Sequence, residues 1–214
     1  MKGTAGSIRL FSFQGGQLAN VQTVSPGDGM NFRPRNAEFA ASGRLVYAAL
    51  EAQSQVNTYA LAGDRLVAEP LFTASTLTRP AKPGQMLSAS LLHPNCRVLY
   101  VVNRGTGLEK FQDQDVYNGG EDTVAVFALD ARTGEPKRIQ SADIPGVQVR
   151  GLGLSPDSRW LIASSVTITG WLTRAPAASL SARSRCASAR ASGPVIHWLW
   201  PLPSAVVPSS EAAT

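Results

Sequence analysis

Apolar and polar residues alternate with the two-residue period of β-strands through most of the first 165 residues. The run Val98–Val102 combines β-branched and aromatic side chains, which suit a packed strand, and Gln55–Leu61 and Asp122–Asp130 alternate along their length. Helical periodicity is hard to find before residue 166. The pattern therefore predicts an all-β fold.

Three segments share one pattern of apolar strand, tight turn, arginine and second apolar strand. They begin at Arg33, Ser88 and Val149, and their turns read Ala-Ser-Gly, Pro-Asn-Cys and Pro-Asp-Ser. Residues of these types supply the backbone geometry of tight turns. The arginines that follow the turns are spaced 53 and 62 residues apart, at Arg44, Arg97 and Arg159. Internal repetition on this scale indicates a repeat architecture.

Two of the hairpins are followed by two further strand-like segments, which completes a four-stranded unit. The fourth strands are predicted within Gly63–Phe72 and Ala131–Ile144. A four-stranded unit that recurs every roughly 40–60 residues is typical of a β-propeller blade. The sequence therefore predicts an incomplete propeller of about three to four blades. The polar, glycine-rich insertion Gly105–Glu121 lies between two strands of one blade, and we expect it to form a surface loop.

The composition changes at about residue 166. Residues 166–214 contain 18 serines or alanines in 49 residues, and no acidic residue occurs from Ser158 to Ser210. One interpretation is a flexible low-complexity tail. The interpretation we favour is a segment that did not evolve with this fold, as when a reading frame shifts. We therefore divide the chain into a partial propeller, residues 1–165, and an irregular tail, residues 166–214, in which His197, Trp198 and Trp200 carry no function.

Charge and composition exclude several classes of partner. The net charge of +5 belongs mostly to the tail, since residues 1–165 carry 16 basic and 14 acidic residues with no basic block. We therefore expect no nucleic-acid partner. No apolar run approaches the roughly 20 residues of a membrane-spanning helix, so we expect no membrane partner. Two cysteines are too few for a disulfide framework or a metal cluster, and together with an N-terminus that lacks a secretory apolar core they predict a cytoplasmic protein.

Three motifs in register carry a resemblance to a known family. They are RPRNAEFAASGRLVYAALE from Arg33, LLHPNCRVLYVVNRG from Leu91 and DTVAVFALDARTGEP from Asp122. Residues 7–165 resemble the seven-bladed β-propeller lactonases, the bacterial 6-phosphogluconolactonase type that is related to the fungal carboxymuconate-lactonizing enzymes. The likeness covers about half of a full family propeller.

The resemblance implies a site of two arginines, a glutamate and a histidine at a central channel. The arginine of the Pro-Arg motif falls on Arg35, the glutamate that closes the same hairpin on Glu51, and the arginine of Asn-Arg-Gly on Arg104. The histidine belongs to an upstream blade, which we expect this chain to lack. Leu50 stands where the family usually has an asparagine. The resemblance implies no cofactor and no metal.

Other residues have structural explanations, and two of the site residues have competitors. Arg33 competes with Arg35, and only the Pro-Arg context favours the latter. A solvated turn is a plain alternative for Glu51, as solvent exposure at a strand end is for Arg104. His93 precedes a proline in a turn at the opposite end of its hairpin from Arg104, so we interpret it as structural, as we do Arg44 and Arg150.

The implied function is hydrolysis of a phosphorylated sugar lactone of the 6-phosphogluconolactonase type, in the pentose phosphate pathway. Glu51 would help to activate water, and Arg35 and Arg104 would bind the phosphate or the developing oxyanion. A lactonizing cycloisomerase and a non-catalytic propeller fragment or binding module remain alternatives. An arc of blades leaves apolar faces near Ile8–Phe13 and Trp160–Ala163 without partners. We therefore expect the isolated chain to be poorly soluble or to self-associate, and to show little lactonase activity.

Overall fold

The computed structural model describes residues 5–26, 28–167 and 172–174, and this part of the chain is all-β, as predicted. It contains sixteen strands: β1 Ile8–Gln14, β2 Gln17–Val24, β3 Pro34–Phe39, β4 Leu45–Leu50, β5 Gln55–Ala62, β6 Arg65–Leu66, β7 Phe72–Ser75, β8 Gln85–Leu92, β9 Val98–Gly105, β10 Leu108–Phe111, β11 Gln114–Tyr117, β12 Thr123–Leu129, β13 Pro136–Asp143, β14 Val147–Leu154, β15 Trp160–Thr167 and β16 Leu172–Arg174.

The strands form three successive antiparallel blades preceded by one hairpin. Blade A has the order β3-β4-β5-β7, with the short β6 also paired to β5. Blade B has the order β8-β9-β12-β13, and blade C has β14-β15-β16. The hairpin β1-β2 stands before blade A. This arrangement confirms the incomplete propeller expected from the repeats.

The three repeated hairpins close with the same turn. Gly43, Cys96 and Ser158 each have a positive φ, at 64°, 56° and 56°. The N–H of each donates to the carbonyl of the residue three places earlier, at 2.9, 2.7 and 2.8 Å. Only the first turn uses glycine for this left-handed position, so the other two turns hold an L-residue in a less favourable conformation.

The middle strands β4 and β9 are buried on both faces, because a blade packs against a neighbour on each side. Alternate residues of each strand enter different apolar clusters. On β4, Val46, Ala48 and Leu50 pack towards the β1-β2 hairpin, whereas Tyr47 and Ala49 pack towards blade B. This two-sided burial explains why these strands read as continuous apolar runs rather than alternating ones.

On β9, Leu99 and Val101 face blade A. The alternate residues Val98, Tyr100 and Val102 face blade C. The blade C side is completed by Val149, Leu161 and Ala163 from β14 and β15. Full burial of one such aliphatic side chain stabilises the fold by about 1.5–3 kcal/mol. The contacts between blades therefore supply much of the core.

The fourth strand of blade A lies later in the chain than predicted. The fourth strand was predicted within Gly63–Phe72, but only the short β6, Arg65–Leu66, pairs there, and β7 begins at Phe72. Pro70 lies between β6 and β7 and has no N–H to donate to a ladder. The prediction for blade B was correct, since β13 lies within Ala131–Ile144.

The insertion Gly105–Glu121 lies between two strands of blade B, as predicted, but it is not an irregular loop. It contains the hairpin β10-β11, which is closed by Gln112 and Asp113, both at positive φ. A two-residue turn with this geometry usually contains glycine or asparagine. The turn lacks glycine and asparagine, and the strands are short and mostly exposed, so the sequence did not predict the hairpin.

Strand pairing continues beyond residue 165, the predicted end of the propeller. β15 runs to Thr167, and β16 pairs with it from Leu172 to Arg174. The remainder of the predicted tail, including His197, Trp198 and Trp200, lies outside the described residues. Its assignment stays a prediction.

Candidate active site

Glu51 follows the last residue of β4 and is fixed between blades A and B by two backbone hydrogen bonds. Its N–H donates to the carbonyl of Arg33 at 2.7 Å, and its carbonyl accepts from the N–H of Leu87 in β8 at 3.0 Å. The Glu51 side chain is only 10% exposed. The Glu51 carboxylate is therefore fixed in position at the junction of two blades, and it is not part of a solvated turn.

A β-bulge at the start of β3 redirects Arg35. Pro34 pairs with Leu50 and Asn36 with Ala49, so Arg35 is the extra residue between these pairs. Bulges of this kind change the direction of a side chain and are common beside active sites. As a result the guanidinium of Arg35 reaches the end of the neighbouring strand β4.

Three guanidinium groups converge on the one carboxylate. Oε1 of Glu51 accepts from Nη2 of Arg104 at 2.7 Å and from Nη1 of Arg35 at 3.0 Å, and Oε2 accepts from Nη2 of Arg33 at 2.8 Å. The structure thus brings together the three residues that the resemblance implied. It also adds Arg33, which the sequence left as a competitor of Arg35; both arginines belong to the cluster.

Arg104 differs in position from the sequence-based expectation. The strand was predicted over Val98–Val102, with Arg104 beyond its end, but β9 continues through Gly105, and the Arg104 side chain is only 9% exposed. The head group of Arg104 contacts the buried Glu51 and is largely shielded from solvent. Among the described residues, Nε of Arg104 is buried and has no hydrogen-bond partner.

Glu51 and Arg104 occupy the same position in successive repeats. Each lies seven residues after the arginine that follows its hairpin turn, Arg44 in blade A and Arg97 in blade B. The equivalent position of the third repeat is Val166. One repeat position thus provides a carboxylate in one blade and its guanidinium partner in the next.

The cluster borders a cleft of about 430 Å³. Its walls are formed by residues of the segment before β1 and of the blade A hairpin: Ala5, Gly6, Ser7, Arg33, Pro34, Arg35 and Glu51. Arg33 and Arg35 are 48% and 38% exposed in their side chains. Arg104 is not part of the lining. A cleft of this volume falls in the range of small-molecule sites.

The charge of the site favours an anionic ligand. Three guanidinium groups and one carboxylate leave a net charge of +2 beside the cleft. The planar fork of arginine suits carboxylates and phosphates in particular. Among the described residues, no group of three or more histidine, cysteine, aspartate or glutamate side chains is placed to hold a metal ion.

Gln85, which the sequence did not single out, links Arg104 to the end of the insertion. Its Nε2 donates to the carbonyls of Arg104 (3.2 Å) and Glu121 (3.0 Å), and its Oε1 accepts from the N–H of Glu121 at 2.7 Å.

Asn103, the residue before Arg104, connects blades A and B. Its Nδ2 donates to the Thr76 carbonyl and to the Thr123 hydroxyl, both at 2.9 Å. The asparagine of the Asn-Arg-Gly motif therefore has a structural role between blades.

The insertion is secured by a second buried carboxylate, Asp122. The Tyr117 hydroxyl donates to Oδ2 of Asp122, while Oδ1 accepts from the N–H of Gln148 at 2.7 Å. Burial first, and then the hydrogen bond and negative charge of Asp122, raise the pKa of Tyr117 far above its usual value. This contact joins the β10-β11 hairpin to blade C, and no sequence motif marked it.

The residues interpreted as structural lie apart from the cluster. Nδ1 of His93 accepts from the N–H of Asn95 at 3.0 Å within its turn. Arg150 is exposed and donates to Oε1 of Gln148 at 3.0 Å. Arg44 lines a separate cleft of about 350 Å³ at the turns of blades A and B.

The fold and the site define a class of protein, a β-propeller with a cluster of arginines and a glutamate at the start of β3 and the ends of β4 and β9. The family described as "Lactonase, 7-bladed beta-propeller" matches residues 4–167, and the chain belongs to this family. No curated protein matches the chain. No helix long and apolar enough to cross a membrane occurs in the described part of the chain.

Three solved structures share the fold. A protein from Lactobacillus plantarum is 22% identical with a TM-score of 0.60, over 74% of this chain and 42% of its own length. A protein from Bacteroides uniformis, assigned as a 6-phosphogluconolactonase, is 20% identical with a TM-score of 0.58, over 75% and 41%. The periplasmic gluconolactonase of Pseudomonas aeruginosa is 21% identical with a TM-score of 0.51, over 75% and 56%. The chain thus spans about two fifths to just over half the length of these structures.

Proposed function

We propose that this chain carries the anion-binding part of a lactonase site that hydrolyses a phosphorylated sugar lactone of the 6-phosphogluconolactone type. The observation that carries the proposal is the contact of Glu51 with Arg33, Arg35 and Arg104 beside an open cleft. A carboxylate with several cations suits a reaction in which water attacks a carbonyl and negative charge develops on its oxygen. A phosphorylated substrate also suits a cytoplasmic protein.

In the proposed reaction, Glu51 accepts a proton from water as the water oxygen attacks the lactone carbonyl. The carbonyl oxygen becomes an oxyanion, which guanidinium N–H groups stabilise. When the ring C–O bond breaks, the ring oxygen takes the proton from Glu51 and leaves as a hydroxyl group. The sum is one lactone and one water converted to one hydroxy acid, with no external oxidant or reductant.

The test is hydrolysis of 6-phosphogluconolactone by the 214-residue chain and by its Glu51→Gln variant, followed as acid release at constant pH. The amide keeps the size of the side chain but cannot accept the proton, so turnover is expected to fall by at least about a hundredfold. Arg150→Gln, an exposed arginine outside the cluster, is the matched control. Equal rates for Glu51→Gln and the control would contradict the proposal.

A non-catalytic binding module is the second candidate, and one observation favours it. Both oxygens of Glu51 already accept N–H groups from arginines, so the carboxylate is occupied before any ligand binds. A module of this kind would bind 6-phosphogluconate without hydrolysing the lactone. Calorimetric binding together with an absence of turnover would identify it.

A further inference from the structure

We infer that Arg33 recognises the phosphoryl group of the ligand. When Arg33 binds this group it leaves Oε2 of Glu51, and Oε2 then serves as the proton-accepting atom. The inference rests on the proposed function and assigns separate tasks to the arginines of the cluster. The motif that implied Arg35 does not include Arg33, and the sequence offered it only as a competitor.

The two oxygens of Glu51 are held unequally. Oε1 accepts from both Arg35 and Arg104, at 3.0 and 2.7 Å, whereas Oε2 accepts only from Arg33 among the described residues, at 2.8 Å. Removal of Arg33 would therefore free one oxygen completely and leave the carboxylate anchored through the other. No other single arginine of the cluster has this effect.

Arg33 is also the arginine that a ligand meets most easily. Its side chain is 48% exposed, against 38% for Arg35 and 9% for Arg104, and its contact with Glu51 uses one nitrogen of its fork. A partly exposed ion pair of this kind contributes little to stability, because solvent screens it. A dianionic phosphoryl group can therefore compete with Glu51 for Arg33.

The segment before β1, which also lines the cleft, is held close to the residues around Arg33 by specific contacts. The N–H of Gly6 donates to the Gly29 carbonyl at 2.9 Å, and the Ser25 hydroxyl donates to the Gly6 carbonyl at 2.6 Å. A Cβ on Gly6 would overlap the carbonyl oxygen of Phe32, the residue before Arg33. This close approach places Ser7, with its hydroxyl, in the same cleft lining as Arg33.

The consequence is that the phosphoryl group contributes to turnover as well as to binding. A phosphorylated lactone withdraws Arg33 and frees Oε2, whereas an unphosphorylated lactone leaves Oε2 occupied. Arg35 and Arg104 keep their contacts with Oε1 in both cases and hold the carboxylate in place. The cleft is thereby selective for phosphorylated sugar lactones.

Binding to the 214-residue chain tests the recognition step without requiring activity. Calorimetric titrations with 6-phosphogluconate and with gluconate are expected to show at least about tenfold tighter binding of the phosphorylated acid. Arg33→Gln should remove this difference, Arg33→Lys should retain part of it, and the exposed control Arg150→Gln should leave it unchanged. Circular dichroism of each variant verifies that it folds.

Hydrolysis of the two lactones tests the uncovering of Oε2. Arg33→Gln is expected to lower turnover of 6-phosphogluconolactone by a much larger factor than turnover of gluconolactone, because only the phosphorylated lactone uses Arg33 to free Oε2. A parallel fall with both lactones would overturn this step.

The outcomes separate this inference from the proposed function. Equal binding of both acids by the wild type, or equal binding by Arg33→Gln and Arg150→Gln, would overturn the role of Arg33. A different outcome is that Arg33→Gln removes the preference for the phosphorylated acid while the chain hydrolyses neither lactone. This would support Arg33 as the recognition residue, and it would reject both the lactonase function and the freeing of Oε2.

Discussion

Tyr117 lies directly over the Cα atom of Gly105, so that any Cβ added to Gly105 would overlap the phenol. The contact joins the end of the β10-β11 hairpin to the residue after Arg104. Because Tyr117 also donates to the buried Asp122, it has little freedom to move away. The glycine of the Asn-Arg-Gly motif is therefore needed for space at this point.

Gly105→Ala should displace Tyr117 and loosen the hairpin. We expect a loss of about 1–3 kcal/mol in the free energy of unfolding, as for other overpacked sites, and faster tryptic cleavage at Lys110 in β10. Gly153→Ala is the matched control, because its chain neighbours apart, no atom of the described residues lies within 4 Å of the added Cβ. Urea denaturation and timed proteolysis measure both effects, and equal behaviour of the two variants would contradict the contact.

Arg104→Met should lower both stability and lactone hydrolysis. The substitution leaves the buried Glu51 with two of its three guanidinium donors, and loss of a charge-assisted hydrogen bond costs about 1.5–3 kcal/mol. The exposed Arg150→Met should change stability by less than about 0.5 kcal/mol. Urea denaturation and lactone assays compare the two, and equal losses would show that Arg104 has no special role.

Glu38 should make the fold less stable as the pH rises. Burial raises the pKa of Glu38 above its usual value, although hydrogen bonds with Ser90 and the backbone of Leu92 oppose this shift. The folded state therefore holds the proton more tightly than the unfolded chain. The resulting stabilisation is complete below the unfolded pKa and is lost as the pH rises through the folded pKa.

Glu38→Gln tests this dependence, because the amide cannot ionise. The variant should be more stable than the wild type at pH 7, and the difference should shrink towards about pH 4, near the ordinary pKa of glutamate. Urea denaturation at several pH values measures the difference. A difference that stays constant with pH would exclude the proposed cause.

Self-association of the isolated 214-residue chain is expected through the outward face of β15. Trp160 and Ile162 are 41% and 52% exposed there, whereas Leu161 and Ala163 between and beside them pack towards blade B. Ile162→Lys should lower the mass measured by light scattering. Ile139→Lys, on the outer strand β13, removes an equally exposed isoleucine and should have no such effect. A monomeric wild type would refute the expectation.

The repeated hairpins could be predicted because their information is local. Each turn is encoded in consecutive residues, and each middle strand is apolar enough to be recognised alone. The edge strand of blade A was misplaced because β7 has only four residues and its position depends on pairing with β5. The β10-β11 hairpin was not predicted because each strand has only four residues and exposes apolar side chains such as Leu108 and Phe111 to solvent.

The candidate site was predictable only in part, since its members lie far apart in the chain. Family motifs implied Arg35, Glu51 and Arg104. Periodicity alone does not distinguish Arg33 from Arg35, because the two arginines are two residues apart around the start of one strand. Gln85 and the Tyr117–Asp122 pair depend on how blades pack against one another. A single sequence contains no local pattern that marks such contacts.

The shared repeat position of Glu51 and Arg104 limits how this propeller can be redesigned. Two glutamates or two arginines at that position would repel each other, so a site of this kind exists only where neighbouring copies differ. Averaging the repeats into one consensus blade would preserve the strands and turns and eliminate the charge pair. A symmetrised version of this protein would therefore be an inert scaffold, and any functional version must keep adjacent blades unequal.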